Sequence, residues 1–137
     1  MTEPNEKPSP QSPMPAKIQV LLVDDHALVR QGLRMFIEMQ NDMVVAGEGA
    51  NGNEAVELAA RLKPDVILLD LVMPDESGFQ VACKINYFSG LAHIPIIAMT
   101  GYFKESYIPL MSGYGIKDYL KKPFDPLELI AKIESVI

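Results

Sequence analysis

The sequence predicts an α/β protein built on a doubly wound parallel sheet with helices on both faces. Three observations carry that expectation. From Lys17 onward, short apolar runs alternate strictly with amphipathic segments, and ten elements in that order mean parallel strands joined by right-handed helical crossovers. The runs are rich in Val, Ile and Leu, as in strands buried on both faces. Three of them end in charge: Asp24-Asp25 follows Ile18 to Val23, Asp70 follows Val66 to Leu69, and Lys122 follows Tyr119-Leu120-Lys121.

The elements follow in order. The first strand is expected from Ile18 to Asp24 and the first helix from about Ala27 to Gln40. A second strand, Met43 to Glu48, leads into Asn51-Gly52-Asn53-Glu54, which supplies turn and cap residues for a helix from about Asn53 to Leu62. Lys63-Pro64 ends that helix. The third strand is Asp65 to Asp70, the third helix about Phe79 to Tyr87, and the fourth strand Ile94 to Thr100. The next helix, about Lys104 to Ser112, carries Pro109 in its middle, which should kink or shorten it; Tyr102, Phe103, Tyr107 and Tyr114 crowd the same stretch. A fifth strand, Ile116 to Leu120, precedes a last helix from Pro126 to the end, with Asp125 as its N-cap and a proline in its first turn. Residues 1–16 hold five of the eleven prolines (Pro4, Pro8, Pro10, Pro13, Pro15) and almost nothing to bury, so a disordered tail is expected there, ahead of a single domain over residues 17–137.

Composition excludes some functions. A net charge of -6 argues against direct binding of nucleic acid or of an anionic membrane, both of which need a basic footprint. No apolar stretch approaches the roughly 18 residues of a spanning helix, and the N-terminus lacks the basic start and hydrophobic centre of a signal peptide, so a cytoplasmic location is expected. The single cysteine, Cys83, cannot form an internal disulfide; beside Val81 and Ala82 it reads as a small buried apolar side chain.

In an open parallel sheet the strand carboxyl ends face one crevice. Asp24, Asp25, Asp70 and Lys122 are therefore expected to meet there. Carboxylates a few ångströms apart repel and raise one another's pKa unless a cation intervenes, which points to a divalent metal and an anionic group. The competing plain reading of each acid is that strands simply end at the surface. His26 and His93 are expected in surface or helix-start roles.

Taken together, Val23-Asp24-Asp25-His26, Leu69-Asp70-Leu71-Val72-Met73-Pro74 with Gly78, Ile97-Ala98-Met99-Thr100, and Asp118-Tyr119-Leu120-Lys121-Lys122-Pro123-Phe124 resemble the receiver domain of two-component response regulators. The resemblance runs from about Lys17 to Ile137, with Thr100 30 residues and Lys122 52 residues beyond Asp70, as the family spaces them. It implies a flavodoxin-like sheet of five parallel strands in the order 2-1-3-4-5 with five helices. The stretch from Asp24 to Leu33 also looks like receivers that precede helix-turn-helix output domains, whereas this chain stops at the end of its last helix. A stand-alone domain and a piece of a longer regulator both stay open.

The resemblance implies a role for each residue. Asp70 would be the phosphoacceptor, and Mg2+ would be held directly by Asp25 and Asp70, by Asp24 through water, and by the backbone carbonyl of Val72. Lys122 would pair with the phosphoryl oxygens; strand alternation lets only one of Lys121 and Lys122 reach the site, and Lys122, before Pro123, matches the family. The Lys122-Pro123 bond is often cis in relatives. Thr100 would bind the phosphoryl group and, with Tyr119, form a switch read out on the face of the fourth helix, fifth strand and fifth helix. Val72 and Tyr102, at positions that modulate lifetime by analogy, cannot readily orient an attacking water, so self-dephosphorylation is expected to be slow.

The implied partners are a sensor histidine kinase or histidine phosphotransfer protein and a downstream target or missing output domain, with a phosphorylation-dependent homodimer as a further option. Two alternatives compete with this non-enzymatic role. One is a magnesium-dependent, aspartyl-phosphate phosphatase, which usually needs an acid two residues after the nucleophile, where Val72 stands. The other is a receiver-like interaction module that no longer takes phosphate; it would lack one of the acids or the lysine, and all are present. A nucleotide-binding flavodoxin or Rossmann relative is disfavoured because no glycine-rich turn follows the first strand.

Overall fold

Because successive strand residues point to opposite faces, the apolar runs of this chain furnish two cores at once. The computed structural model describes residues 16–88, 90–102 and 104–137. Its elements are β1 (Ile18–Val23), α1 (Ala27–Glu38), β2 (Met43–Gly49), α2 (Gly52–Leu62), β3 (Val66–Asp70), α3 (Gly78–Tyr87), β4 (Ile96–Thr100), α4 (Tyr107–Gly113), β5 (Ile116–Lys121) and α5 (Pro126–Val136). The five strands are parallel in the order β2-β1-β3-β4-β5, as the sequence predicts.

Leu21, Val23, Ile67, Leu69, Ile96 and Ala98 pack with Ala55 and Ala59 of α2, Val81, Ala82 and Ile85 of α3, and Met111 of α4. The alternate residues, Val20, Leu22, Val66, Leu68, Ile97 and Met99, pack with Ile37 of α1 and Leu129 and Ile133 of α5. Crossovers therefore leave β1 and β3 toward opposite faces, and a crevice opens between the carboxyl ends of those two strands. Among the described residues, no helix is long and apolar enough to cross a membrane.

The caps follow the sequence signals. Asn51 accepts a hydrogen bond from the Glu54 N–H at 2.9 Å, and Asp125 accepts one from Leu127 at 2.8 Å ahead of Pro126. Ser77 and Gln80 form a reciprocal capping box on α3.

The departures have local causes. β4 begins at Ile96 rather than Ile94, because Pro95 has no N–H for the ladder, although its carbonyl still accepts from Ile67. α4 begins at Tyr107 rather than Lys104, which places Pro109 in the first turn, where its missing N–H is not needed. Cys83 is exposed, not buried as expected. Val81, Ala82 and Ile85 form the inward stripe of α3, and the next residue after Ala82 turns about 100° further round the helix, out of that stripe. Of the crowded rings, Tyr107 and Tyr114 flank Phe79 at centroid distances of 5.3 and 5.6 Å, while Tyr102 is exposed. Phe103 and, but for Ala16, the expected tail over residues 1–16 lie outside the described residues.

Gly78 sets how closely α3 approaches the end of β3. A Cβ there would stand 2.6 Å from the Asp70 carbonyl oxygen and 2.7 Å from Leu71 Cα. Both are backbone atoms that cannot swing aside. Gly78→Ala is expected to lower the unfolding free energy by about 2 kcal/mol, measured by urea denaturation; an unchanged midpoint would contradict the close approach.

Candidate functional site

β1 ends by delivering Asp24, and β3 ends on Asp70, one strand away in the sheet. Asp24 is fully buried, and only 5% of the Asp70 side chain is exposed. Lys122 follows β5, and its backbone N–H donates to the Thr100 carbonyl at 2.7 Å. From that anchor its Nζ lies 2.9 Å from Asp24 Oδ2 and 3.3 Å from Asp70 Oδ2. Each acid has a second donor on its other oxygen. Asp24 Oδ1 accepts the His26 N–H at 2.8 Å, and Asp70 Oδ1 accepts the Val72 N–H at 3.0 Å.

Asp25 differs from both, because its Oδ1 is buried and accepts no hydrogen bond. One donor atom from each of Asp24, Asp25, His26 and Asp70 falls within 4.8 Å of the others. Three carboxylates against one ammonium leave a formal charge of -2. A divalent cation would cancel that charge and satisfy the orphaned oxygen, so the donor set fits a hard metal ion.

Burial pushes the Asp70 carboxyl above the usual aspartate range; the Val72 N–H and Lys122 pull it down, and Asp24 adds to the rise. For Lys122, burial acts to lower the ammonium, but its hydrogen bond to Asp24 and the charges of Asp70 and Asp24 outweigh this and hold it above the ordinary lysine range. A buried carboxylate pair bridged by one cation is the expected source of both shifts.

Behind the acids stands a second ionic group. Arg30 of α1 donates from Nη1 to the Asp24 carbonyl at 2.5 Å and from Nε to Glu48 Oε1 at 3.1 Å. Glu48 also takes Arg34 Nη1 at 2.7 Å, and this bond holds its carboxyl below the usual range. The β1–α1 connection is thus tied to β2.

The remaining predicted residues are placed as follows. Thr100 is buried at the end of β4, and its Oγ1 accepts the Tyr102 N–H at 3.0 Å. Tyr119, half-buried in β5, donates its N–H to Asp118 Oδ1 at 2.8 Å; Lys132 Nζ sits 2.8 Å from that same oxygen and 5.8 Å from the tyrosine ring centroid. Lys121 is exposed while Lys122 turns in, the Lys122-Pro123 bond is cis, and the Val72 residue is 58% exposed. His93 is exposed in the turn before β4. His26 takes the helix-start position the sequence suggests, as the exposed N-cap of α1, with its Nδ1 hydrogen-bonded to Asp24 Oδ1 at 3.2 Å. Sequence reasoning missed Arg30, whose only signal was its place one helical turn beyond the acid pair.

The chain matches the family model of the response regulator receiver domain over residues 20–134. It is 41% identical over 119 residues to the uncharacterized transcriptional regulatory protein YxjL of Bacillus subtilis, an alignment covering 87% of this chain and 54% of the relative. It is 37% identical over 105 residues to the response regulator protein VraR of Staphylococcus aureus, covering 77% and 49%. The chain thus spans about half the length of the curated relatives it matches. Among solved structures, the chemotaxis protein CheY4 of Vibrio cholerae superposes with a TM-score of 0.82 at 28% identity, over 89% of this chain and all (100%) of that one.

The site electrostatics predict opposite effects for two substitutions in chelator-containing buffer. A carboxyl whose folded-state pKa is raised opposes folding once ionised, so Asp70→Asn is expected to be more stable than wild type at pH 7. That advantage should narrow as pH falls through the raised value and Asp70 takes up a proton. Lys122→Met leaves buried Asp24 without its counter-charge and is expected to cost about 3 kcal/mol. Denaturant unfolding of both variants across pH 4 to 8 measures this; a destabilised Asp70→Asn would contradict the account.

Proposed function

The chain belongs to the response regulator receiver domain family, and on that premise we propose that it accepts a phosphoryl group on Asp70 from a histidine kinase or histidine phosphotransfer protein. The observation that carries this reading is the shared ammonium. Lys122 Nζ, 2.9 Å from Asp24 Oδ2 and 3.3 Å from Asp70 Oδ2, offsets part of the charge of three acids and leaves the rest for a cation and an incoming anion. Receiver domains generally bind Mg2+ at an acidic pocket. Here Asp24, Asp25, Asp70 and the Val72 carbonyl would hold it, and when bound it would supply charge neutralisation to a transfer between anions.

The protein's own part is positioning. An Asp70 carboxylate oxygen bonds to phosphorus as the phosphorus–nitrogen bond of phosphohistidine breaks; the nitrogen leaves with the electron pair and takes up a proton, and Asp70 becomes an acyl phosphate. An ionised carboxylate needs no general base. Lys122, fixed through its backbone to Thr100, pairs with the phosphoryl oxygens. The Thr100 hydroxyl bonds the new group and Tyr119 turns inward, biasing a two-state equilibrium read on the face of α4, β5 and α5. Residues 17–137 form the receiver, a signalling component in the cytoplasm that controls a protein target or a linked output domain, with a phosphorylation-dependent homodimer as one route. Val72, standing two residues after Asp70 with an apolar side chain, weighs against a phosphatase of the aspartyl-phosphate class.

Incubation with a small acyl phosphate donor and Mg2+ is expected to label wild type but not Asp70→Asn, and chelation is expected to abolish labelling. Equal labelling of the variant would overturn the assignment. Once formed, the phosphoprotein is expected to persist for minutes or longer in Mg2+ buffer, because neither Val72 nor Tyr102 carries a group suited to orienting a water molecule; loss within seconds, followed by phosphate release, would contradict this.

A further inference from the structure

α4 and α5 cover opposite faces of the sheet, and Tyr119 packs with the core on the α4 side. Lys132 belongs to α5, yet its Nζ lies 5.8 Å from the centroid of the Tyr119 ring, within reach of a cation–π contact. It can reach across because β5 is an edge strand. The same ammonium is 2.8 Å from Asp118 Oδ1, and that oxygen also accepts the Tyr119 N–H at 2.8 Å. One lysine thus acts on Tyr119 twice, directly at the ring and through Asp118 at the backbone. A movement of the ring would affect these two contacts differently. Ala98 is the β4 partner of Tyr119, and Thr100 lies two residues further along the same face. A turn of the ring toward Thr100 leaves the amide and Asp118 in place and takes the ring away from the ammonium. Tyr119 also lines a cavity of about 170 Å³ between α4 and β5, with Ile108, Met111 and Ser112 on its α4 side, so the position of the ring shapes that surface.

We propose that Lys132 is a positioning residue for Tyr119: its ammonium holds the ring at the sheet edge and so sets how often the ring turns inward. This rests on the reading of Tyr119 as the switch aromatic. A contact made in only one of two states biases their equilibrium, whereas a contact common to both biases nothing. The pair of Lys132 with Asp118 is common to both positions of the ring; the cation–π contact is not. Asp118 fixes the ammonium beside the ring, which gives a long and flexible side chain a defined place to act. Removing the charge therefore raises the population with the ring turned inward, while Asp118 still accepts the Tyr119 N–H.

The test uses the full chain carrying fluorotyrosine, with the Tyr119 fluorine resonance assigned by its loss in Tyr119→Leu. Wild type, Lys132→Met, Lys132→Arg, Tyr119→Leu and the double variant Lys132→Met with Tyr119→Leu are each labelled with acetyl phosphate and Mg2+. In Lys132→Met, before donor is added, the Tyr119 resonance is expected part-way toward its position in phosphorylated wild type. The labelling rate of that variant at subsaturating donor is expected to rise about threefold, as the loss of one cation–π contact gives. Lys132→Arg keeps a cation that stacks on aromatic rings and is expected within about twofold of wild type. Without the Tyr119 ring, Lys132→Met is expected to add no change, which separates an action through the ring from a merely structural loss of the Asp118 pair. An unmoved resonance with an unchanged rate in Lys132→Met, or the same acceleration in the double variant, would overturn the proposal while wild type still labels on Asp70. A wild-type resonance that ignores phosphorylation would overturn the switch reading of Tyr119, and failure of wild type to label would overturn the phosphoacceptor reading itself.

Discussion

The ammonium of Lys122, shared between Asp24 and Asp70, is the contact on which the crevice depends. It joins three stretches far apart in sequence: the end of β1, the end of β3 and the segment after β5. Without a cation, two carboxylates this deeply buried would repel, and each would have to shed its charge or open to water. The amides of His26 and Val72 support the other oxygens, so each of these acids is held from two sides. Asp25 lacks that support on its buried oxygen. The protein's own donors reach both oxygens of Asp24 and of Asp70 and leave one buried oxygen of Asp25 without a partner.

That arrangement follows from how the strands are buried. Val20 and Leu22 face one core while Leu21 and Val23 face the other, so from Val20 to Val23 β1 has no side free for a polar residue. The same holds for β3 up to Asp70. Charge is thereby pushed to the strand ends, and the parallel order brings those ends to one edge. Gly78 completes the geometry by letting the start of α3 lie directly against the Asp70 and Leu71 backbone, which a side chain at that position would prevent.

Much of this was legible in the residues themselves. Asp24, Asp70 and Lys122 each close an apolar run, and a buried parallel strand leaves few other readings for such a run. All ten elements appear where the alternation places them, with ends displaced where proline removes an N–H. What was not legible depends on rotation about a helix or on long side chains reaching across elements. Cys83 follows two buried neighbours and still faces solvent, because a single residue's step carries it out of the stripe. Arg30 reaches back from α1 to a carbonyl six residues earlier and sideways to Glu48 on β2. No spacing in the sequence announces a contact made by a guanidinium to a backbone oxygen.

The hydrogen bond from the Lys122 amide to the Thr100 carbonyl makes the last residue of β4 and the residue after β5 one mechanical part. The hydroxyl of Thr100 and the ammonium of Lys122 ride on opposite ends of that single joint. Neither can be repositioned by a backbone shift without dragging the other along. A disturbance felt at either strand end therefore arrives at the acids as a coordinated movement of hydroxyl and cation, and the edge of the sheet behaves there as a lever rather than as two independent fingers.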